Sequence, residues 1–239
     1  MISREQHTQG LTFVTATDIG SNHRALLMPN QDAVDFIFDD EDFVLAVSDG
    51  VGSCPKAELG SKEAVASCIR VFTRIKNRII EFENESIVSA LINEWSVSLN
   101  HENPDDCCAT LKAVFKIGQV MKAVSVGDGF IAVSSDGLTL LSPTEEVAFS
   151  NETSCLCSKI ETRDFWTSDF NLDIHKSYAA ICCTDGVANG ILAGQELNLV
   201  RDIEENISAD MLKKEIEALL EDISDYCFDD KTVGVVKYE

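Results

Sequence analysis

The sequence predicts an α+β fold built on a large, mostly antiparallel sheet system. Short runs rich in β-branched and aromatic residues recur along the chain. The runs in the middle have no helical stretch between them that could make a parallel crossover. Three longer segments carry an apolar stripe at helical spacing, and two sheets covered by helices would accommodate them all.

In chain order, strands are expected near residues 11–17, 33–38 and 43–48. A helix follows over 56–82, where Leu59, Ala64, Ile69, Phe72, Ile75 and Ile79 give an apolar face with charges in the gaps. A second helix fits 86–99, with Ile87, Leu91, Trp95 and Leu99 in register. Strands are then expected at 109–116, 121–126, 130–134 and 178–183. The third helix, 209–226, shows Leu212, Ile216, Leu219, Leu220 and Ile223 as its stripe, and a last strand occupies 232–238. Each helical stripe is read as core-facing. No repeat, low-complexity stretch or linker composition divides the chain, so residues 1–239 are expected to form a single domain.

With 45% hydrophobic residues in 239, the chain can bury a sizeable core. No uncharged apolar run approaches the roughly 20 residues of a membrane span, and "MISREQHTQG" lacks a signal-peptide pattern, so the expected location is cytoplasmic. A net charge of −22, from 41 acidic and 19 basic residues, argues against nucleic acid or an anionic membrane as partner. The acidic stretch 202–230 contributes part of it as a solvated face. The nine cysteines include the adjacent pairs Cys107-Cys108 and Cys182-Cys183 without a C-x-x-C motif. They are expected to be reduced, small core residues rather than a disulfide framework or a zinc site.

The dipeptide Asp-Gly occurs at Asp49, Asp128, Asp136 and Asp185. Its ordinary meaning is a tight hairpin turn. That suffices for Asp136-Gly137, between "FIAVSS" and "LTLL", and leaves Asp128 open, since "SVGDGFIAV" also reads as a hairpin. It fails for "VLAVSDGVGSCP" and "AAICCTDGVANG", where an apolar strand runs into a small-residue loop and does not turn back. A carboxylate at the end of a core strand requires a partner. In sequence, Lys56 is the nearest cation to Asp49 and none is near Asp185. A hard divalent cation such as Mg²⁺ or Mn²⁺ is the physical alternative. Asp32, before one strand, and Asp229 with Asp230, before the last, fit the same logic.

With these residues in hand, the chain resembles the metal-dependent PP2C-type protein serine/threonine phosphatases, the PPM family, in their bacterial-type form. "NQDA" at 30–33 is similar to the family's early acidic motif, "VSDGVGS" at 47–53 to its D-G-x-G loop, and "CCATLKAVF" at 107–115 to its Ala-Thr strand. "SVGDGFIAV" at 125–133, "CCTDGVAN" at 182–189 and "DDKTVGVV" at 229–236 follow in the family's order.

The resemblance implies a four-layer α-β-β-α sandwich of two antiparallel sheets flanked by helices, with a variable flap at approximately 145–176 that carries Trp166 and Cys155-x-Cys157. It implies two or three Mn²⁺ or Mg²⁺ ions. Asp49 would bridge two of them, the Gly50 carbonyl would join one, Asp185 and Asp229 would hold the other, and Asp32 would act through water. Asp128, with Asp185, would match a looser third site. A water between two such ions has a lowered pKa and can attack phosphorus, so no nucleophilic side chain is required. The implied activity is that of a signalling hydrolase that dephosphorylates phosphoserine and phosphothreonine in a protein substrate, with a cognate Ser/Thr kinase as opposing partner. Where the family often has a phosphate-gripping arginine, this chain has Leu27, and Arg24 or His23 would have to take its place. That departure motivates the alternative of a non-catalytic relative serving as a regulatory or binding module.

Overall fold

The computed structural model describes residues 1–8, 10–143, 154–173 and 175–239. The chain opens with strands β1 (Ile2–Thr8) and β2 (Leu11–Asp18), a short helix α1 (Ser21–Leu26), and strands β3 (Ala33–Asp39) and β4 (Asp42–Ser48). Helices α2 (Ala57–Lys76) and α3 (Asn84–Ser98) follow, then β5 (Leu111–Ile117), β6 (Val120–Val126), β7 (Phe130–Ser135) and β8 (Leu138–Leu141). After β9 (Trp166–Asn171) and β10 (Tyr178–Cys183) come α4 (Asp185–Ala188), α5 (Glu196–Glu205), α6 (Ala209–Ile223) and β11 (Lys231–Tyr238).

These strands form two antiparallel sheets, ordered β1-β2-β11-β10-β7-β8 and β3-β4-β5-β6-β9. The predicted α+β class with helix-flanked antiparallel sheets is therefore the observed one. Its layers follow from alternation along the central strands. On β4, Val44 and Ala46 pack with Ala64, Cys68, Phe72 and Trp95 of α2 and α3. Phe43, Leu45 and Val47 point the other way, into an inter-sheet core with Phe13, Val114, Ile131 and Val236. On β10, Ala179, Ile181 and Cys183 meet Val200, Ile203, Leu212 and Ile216 of α5 and α6. Strands buried on both faces read as unbroken apolar runs, which is why "VLAVS" and "AAICC" show no alternation.

Register sets the ends of these strands. Cys183 lies opposite Val233 and Phe130, and Asp18 opposite Lys231. In the other sheet Ala33 lies opposite Ser48, and Leu111 opposite Val126. The connections β2 to β3 and β6 to β7 cross between sheets, so these ends share one edge of the sandwich.

Several elements differ from the sequence expectation. The helix expected to run to residue 82 stops at Lys76, because Arg78 adopts a left-handed φ of 57° and the Ile79 N–H bonds back to the Arg74 carbonyl at 2.8 Å. Ile80 and Phe82 still pack on the helical layer, which prolongs the apolar pattern past the helix. Within 145–176, residues 145–153 and 174 lie outside the described residues, while Trp166–Asn171 form β9 and pair with β6.

Gly60 shows how closely α2 is seated. A Cβ there would stand 1.9 Å from the Cys107 carbonyl oxygen, and the Trp95 indole N–H donates to the Gly60 carbonyl at 3.1 Å. Alanine is the better helix former by about 1 kcal/mol, but a backbone clash of this size cannot relax by side-chain rotation. Gly60→Ala is therefore expected to lower unfolding stability by about 1–3 kcal/mol in urea titration. Unchanged or increased stability would mean that the helix can shift freely.

Candidate metal centre

Each aspartate considered as a metal ligand in the sequence lies at this shared edge. Asp32 is buried just before β3, Asp49 directly follows β4, Asp185 opens α4 at the end of β10, and Asp229 stands two residues before β11. Asp128 occupies the crossover from β6 to β7, between Gly127 and Gly129, both of positive φ. The open hairpin reading of Asp128 is thus replaced: the strands on its two sides belong to different sheets. Asp136 and Gly137 make the expected hairpin turn, at φ 48° and 80°.

Local hydrogen bonding fixes the two strand-end motifs. The Asp49 N–H donates to the Thr110 hydroxyl at 3.0 Å, and the Thr110 N–H donates to the Asp49 carbonyl at 2.8 Å. Gly50 bridges to Ala109, but the bonds are made by its neighbours, with the Val51 N–H on the Cys108 carbonyl at 2.9 Å. The N–H and C=O of Gly50 therefore face the opposite side, where its N–H donates to the Gln31 carbonyl at 3.1 Å. Gly186 has a different reason to be glycine: a Cβ would lie 1.9 Å from the Asp230 carbonyl oxygen, which packs α4 against the entrance to β11.

Electrostatics identify these carboxylates as neighbours. Burial, then the charges of Asp32 and Asp185, push Asp49 up to about 10. Burial raises Asp32 to about 7, against hydrogen bonds that favour its charged form. Asp185 rises to about 6 through burial and then through Asp229 and Asp128. One oxygen of Asp32 accepts from the Thr184 hydroxyl at 2.9 Å, and the other, Oδ1, is buried with no hydrogen-bond partner. Among the described residues no three such groups stand closed around one point. An unpartnered buried oxygen among mutually repelling carboxylates is a donor set that fits a hard divalent cation completed by water. A cleft of about 590 Å³ adjoins it, lined by Asp128, Asp185, Asn189 and Glu196 among others.

Sequence reasoning missed three residues here. Lys112, fully buried on β5, donates to the Ser125 hydroxyl at 2.8 Å and the Val126 carbonyl at 3.3 Å, and its charge favours ionised Asp185. The sequence-based statement that no cation is near Asp185 is therefore corrected: the cation comes from a strand 73 positions away in the chain (185 − 112). Thr184, directly before the Asp185-Gly186 pair, is fully buried and holds Asp32 through its hydroxyl. Asp230, named only alongside Asp229, is the buried organiser, accepting from the Gly20 N–H and the Gln31 N–H at 2.7 Å each. It also pairs with the His23 ring at 2.8 Å, while Arg24 pairs with Asp18 at 2.7 Å. Both residues considered for phosphate thus have carboxylate partners, and Leu27 is exposed at the end of α1.

A family model described as Protein phosphatase 2C matches residues 19–221. The chain belongs to the protein phosphatase 2C family. Solved structures share the fold of this phosphatase 2C chain at low identity. The photosystem II phosphatase PBCP aligns with TM-score 0.70 and 18% identity over 96% of this chain and 99% of its own. The catalytic domain of the serine threonine protein phosphatase PstP, in complex with two manganese ions, gives 0.65 and 15% over 95% and 97%. RsbX in complex with magnesium gives 0.65 and 13% over 100% of both chains. A sequence search among curated proteins finds no match.

The raised carboxylates fix the sign of a pH effect. A group protonated in the folded chain but ionised when unfolded makes the folded state bind more protons, so its contribution to stability falls as pH rises. For Asp185 and Asp32 that loss extends from about pH 4 to about 6 and about 7. The metal-free Asp49→Asn protein should therefore melt several degrees above the metal-free parent at pH 7.5, and its advantage should shrink toward pH 4. Thermal melts in chelator check this; a variant less stable than the parent across that range would contradict the mutual-repulsion account.

Proposed function

We propose that residues 1–239 form one phosphatase domain that hydrolyses phosphoserine and phosphothreonine in protein substrates with the help of divalent cations. The observation that supports this best is the meeting of Asp32, Asp49, Asp185 and Asp229 at one sheet edge, with an Asp32 oxygen buried and unpartnered. Solved relatives in complex with manganese and magnesium favour those ions.

In this reading Asp49, the Gly50 carbonyl, Asp185 and Asp229 would hold two ions, Asp32 would act through water, and Asp128 with Asp185 would serve a third. Bound there, the ions would lower the pKa of a shared water and draw charge from the phosphoryl oxygens. The chain's own residues then have separate tasks. Thr110 holds the Asp49 backbone from both sides, and Thr184 orients Asp32. Protons carried by Asp32 and Asp49 would have to leave for these carboxylates to serve a cation. Lys112 offsets charge behind Asp185. The two thiols just before Thr184 and Asp185 in the chain, Cys182 and Cys183, are fully buried with their pKa pushed up, which suits packing and not nucleophilic attack. A cytoplasmic location and an opposing kinase belong to the same proposal; no helix among the described residues is long and apolar enough to cross a membrane.

The test is Mn²⁺-dependent release of phosphate from p-nitrophenyl phosphate and from a phosphothreonine peptide. Turnover should vanish with EDTA and fall at least about 100-fold in Asp49→Asn and Asp185→Asn, as expected for loss of a metal-organised site. Tight Mn²⁺ binding without turnover on either substrate would instead favour the regulatory module that Leu27 suggests.

A further inference from the structure

The cysteines do not behave as one class. Cys68, Cys107, Cys182 and Cys183 are buried core residues, as the composition suggests. Cys54, Cys108, Cys155 and Cys157 are only half-buried, and the fold gathers them from three separate segments at one place beside the candidate centre.

Backbone pairing explains the gathering. The Leu156 N–H donates to the Ala109 carbonyl at 2.8 Å and the Ala109 N–H returns a bond to the Leu156 carbonyl at 3.4 Å. Ala109 and Leu156 are both buried, so alternation puts Cys108, Cys155 and Cys157 on the opposite, outer face of this short ladder. The Val51 N–H on the Cys108 carbonyl draws the loop bearing Cys54 alongside. The Cys54 and Cys108 thiols both donate to the Asp105 carbonyl, at 3.4 Å each. Cys108 is within hydrogen-bond reach of Cys54 and Cys155, and Cys155 of Cys108 and Cys157, while Cys155 also feels the charge of Cys54. The segment is anchored further by Ser158, whose N–H and hydroxyl both donate to the Asp105 carboxylate at 2.9 Å.

We propose that Cys54, Cys108, Cys155 and Cys157 form a tetrathiolate site for one Zn²⁺ ion. Four sulfur donors match the tetrahedral preference of zinc, whereas Mn²⁺ and Mg²⁺ seek the oxygen donors of the neighbouring carboxylates. The reaction needs no oxidant or reductant: four thiols bind one Zn²⁺ and release four protons. Burial, and then the Cys157 thiol, hold Cys155 up at about 11. No three donors among the described residues are closed around one point, so binding would require the thiols to rotate about χ1 into another staggered well. Such an ion would staple the loop after Gly50 to the segment that leads into β9. The site stands on geometry independent of the phosphatase reading.

The test uses Asp49→Asn protein, reduced and stripped with chelator, titrated anaerobically with Co²⁺ and then Zn²⁺. One Co²⁺ per chain should produce thiolate-to-cobalt charge-transfer absorption with tetrahedral ligand-field bands, and one equivalent of Zn²⁺ should bleach them. The parent chain with its carboxylates saturated by Mg²⁺ should give the same spectrum. The bands should disappear in Cys155→Ser/Cys157→Ser and persist in Cys227→Ser, with circular dichroism confirming folding of each. Only oxygen-ligated cobalt spectra, bands that survive the double substitution, or a disulfide among these cysteines in protein with no zinc affinity would overturn the proposal.

Discussion

Carboxylates that repel one another at the common edge of two sheets are the constraint around which the rest of this fold is arranged. Asp49 is held far above the ordinary carboxylate range by burial and then by the charges of Asp32 and Asp185, Asp32 is raised by burial, and Asp185 is raised beside them. A protein tolerates such a cluster only if its surroundings over-determine the positions. Here they do. Thr110 clamps Asp49, Thr184 holds one oxygen of Asp32, Asp230 ties the chain before β3 to the chain before β11, and Lys112 stands behind Asp185. The strands beneath are buried on both faces, so their ends cannot drift without disturbing two cores at once.

The four Asp-Gly pairs show how one dipeptide takes on different physical meanings. At Asp136 the positive φ of both residues makes a turn and nothing more. At Asp128 flanking glycines carry the chain from one sheet to the other. At Gly50 the missing side chain admits the start of α2, where a Cβ would lie 2.5 Å from the Ala57 carbonyl oxygen, and at Gly186 it admits the Asp230 carbonyl. In both cases close backbone packing aims the preceding aspartate at the cluster.

The central strands and the three apolar-striped helices were legible in the sequence because each buries a continuous face. Elements that bury little were not. β1 is an edge strand of mostly polar residues, and α1 buries no side chain at all. α5 was masked by its acidic residues, although Leu197, Val200 and Ile203 form a stripe on it, and β9 fell inside a segment read as a flap. The acidic set was readable because carboxylates at strand ends are conspicuous against an apolar run. Lys112 and the four gathered cysteines were not, because their neighbours come from distant segments and only strand pairing brings them together.

Proton release on cation binding tests the central claim most directly. Calorimetric titration of the metal-free chain with Mn²⁺ near pH 7.5, in buffers of different ionisation enthalpy, counts the protons displaced. The account predicts net release of about one proton per chain, mainly from Asp49, and a clear reduction in Asp49→Asn. Mn²⁺ binding with no proton release, or release undiminished in that variant, would contradict it.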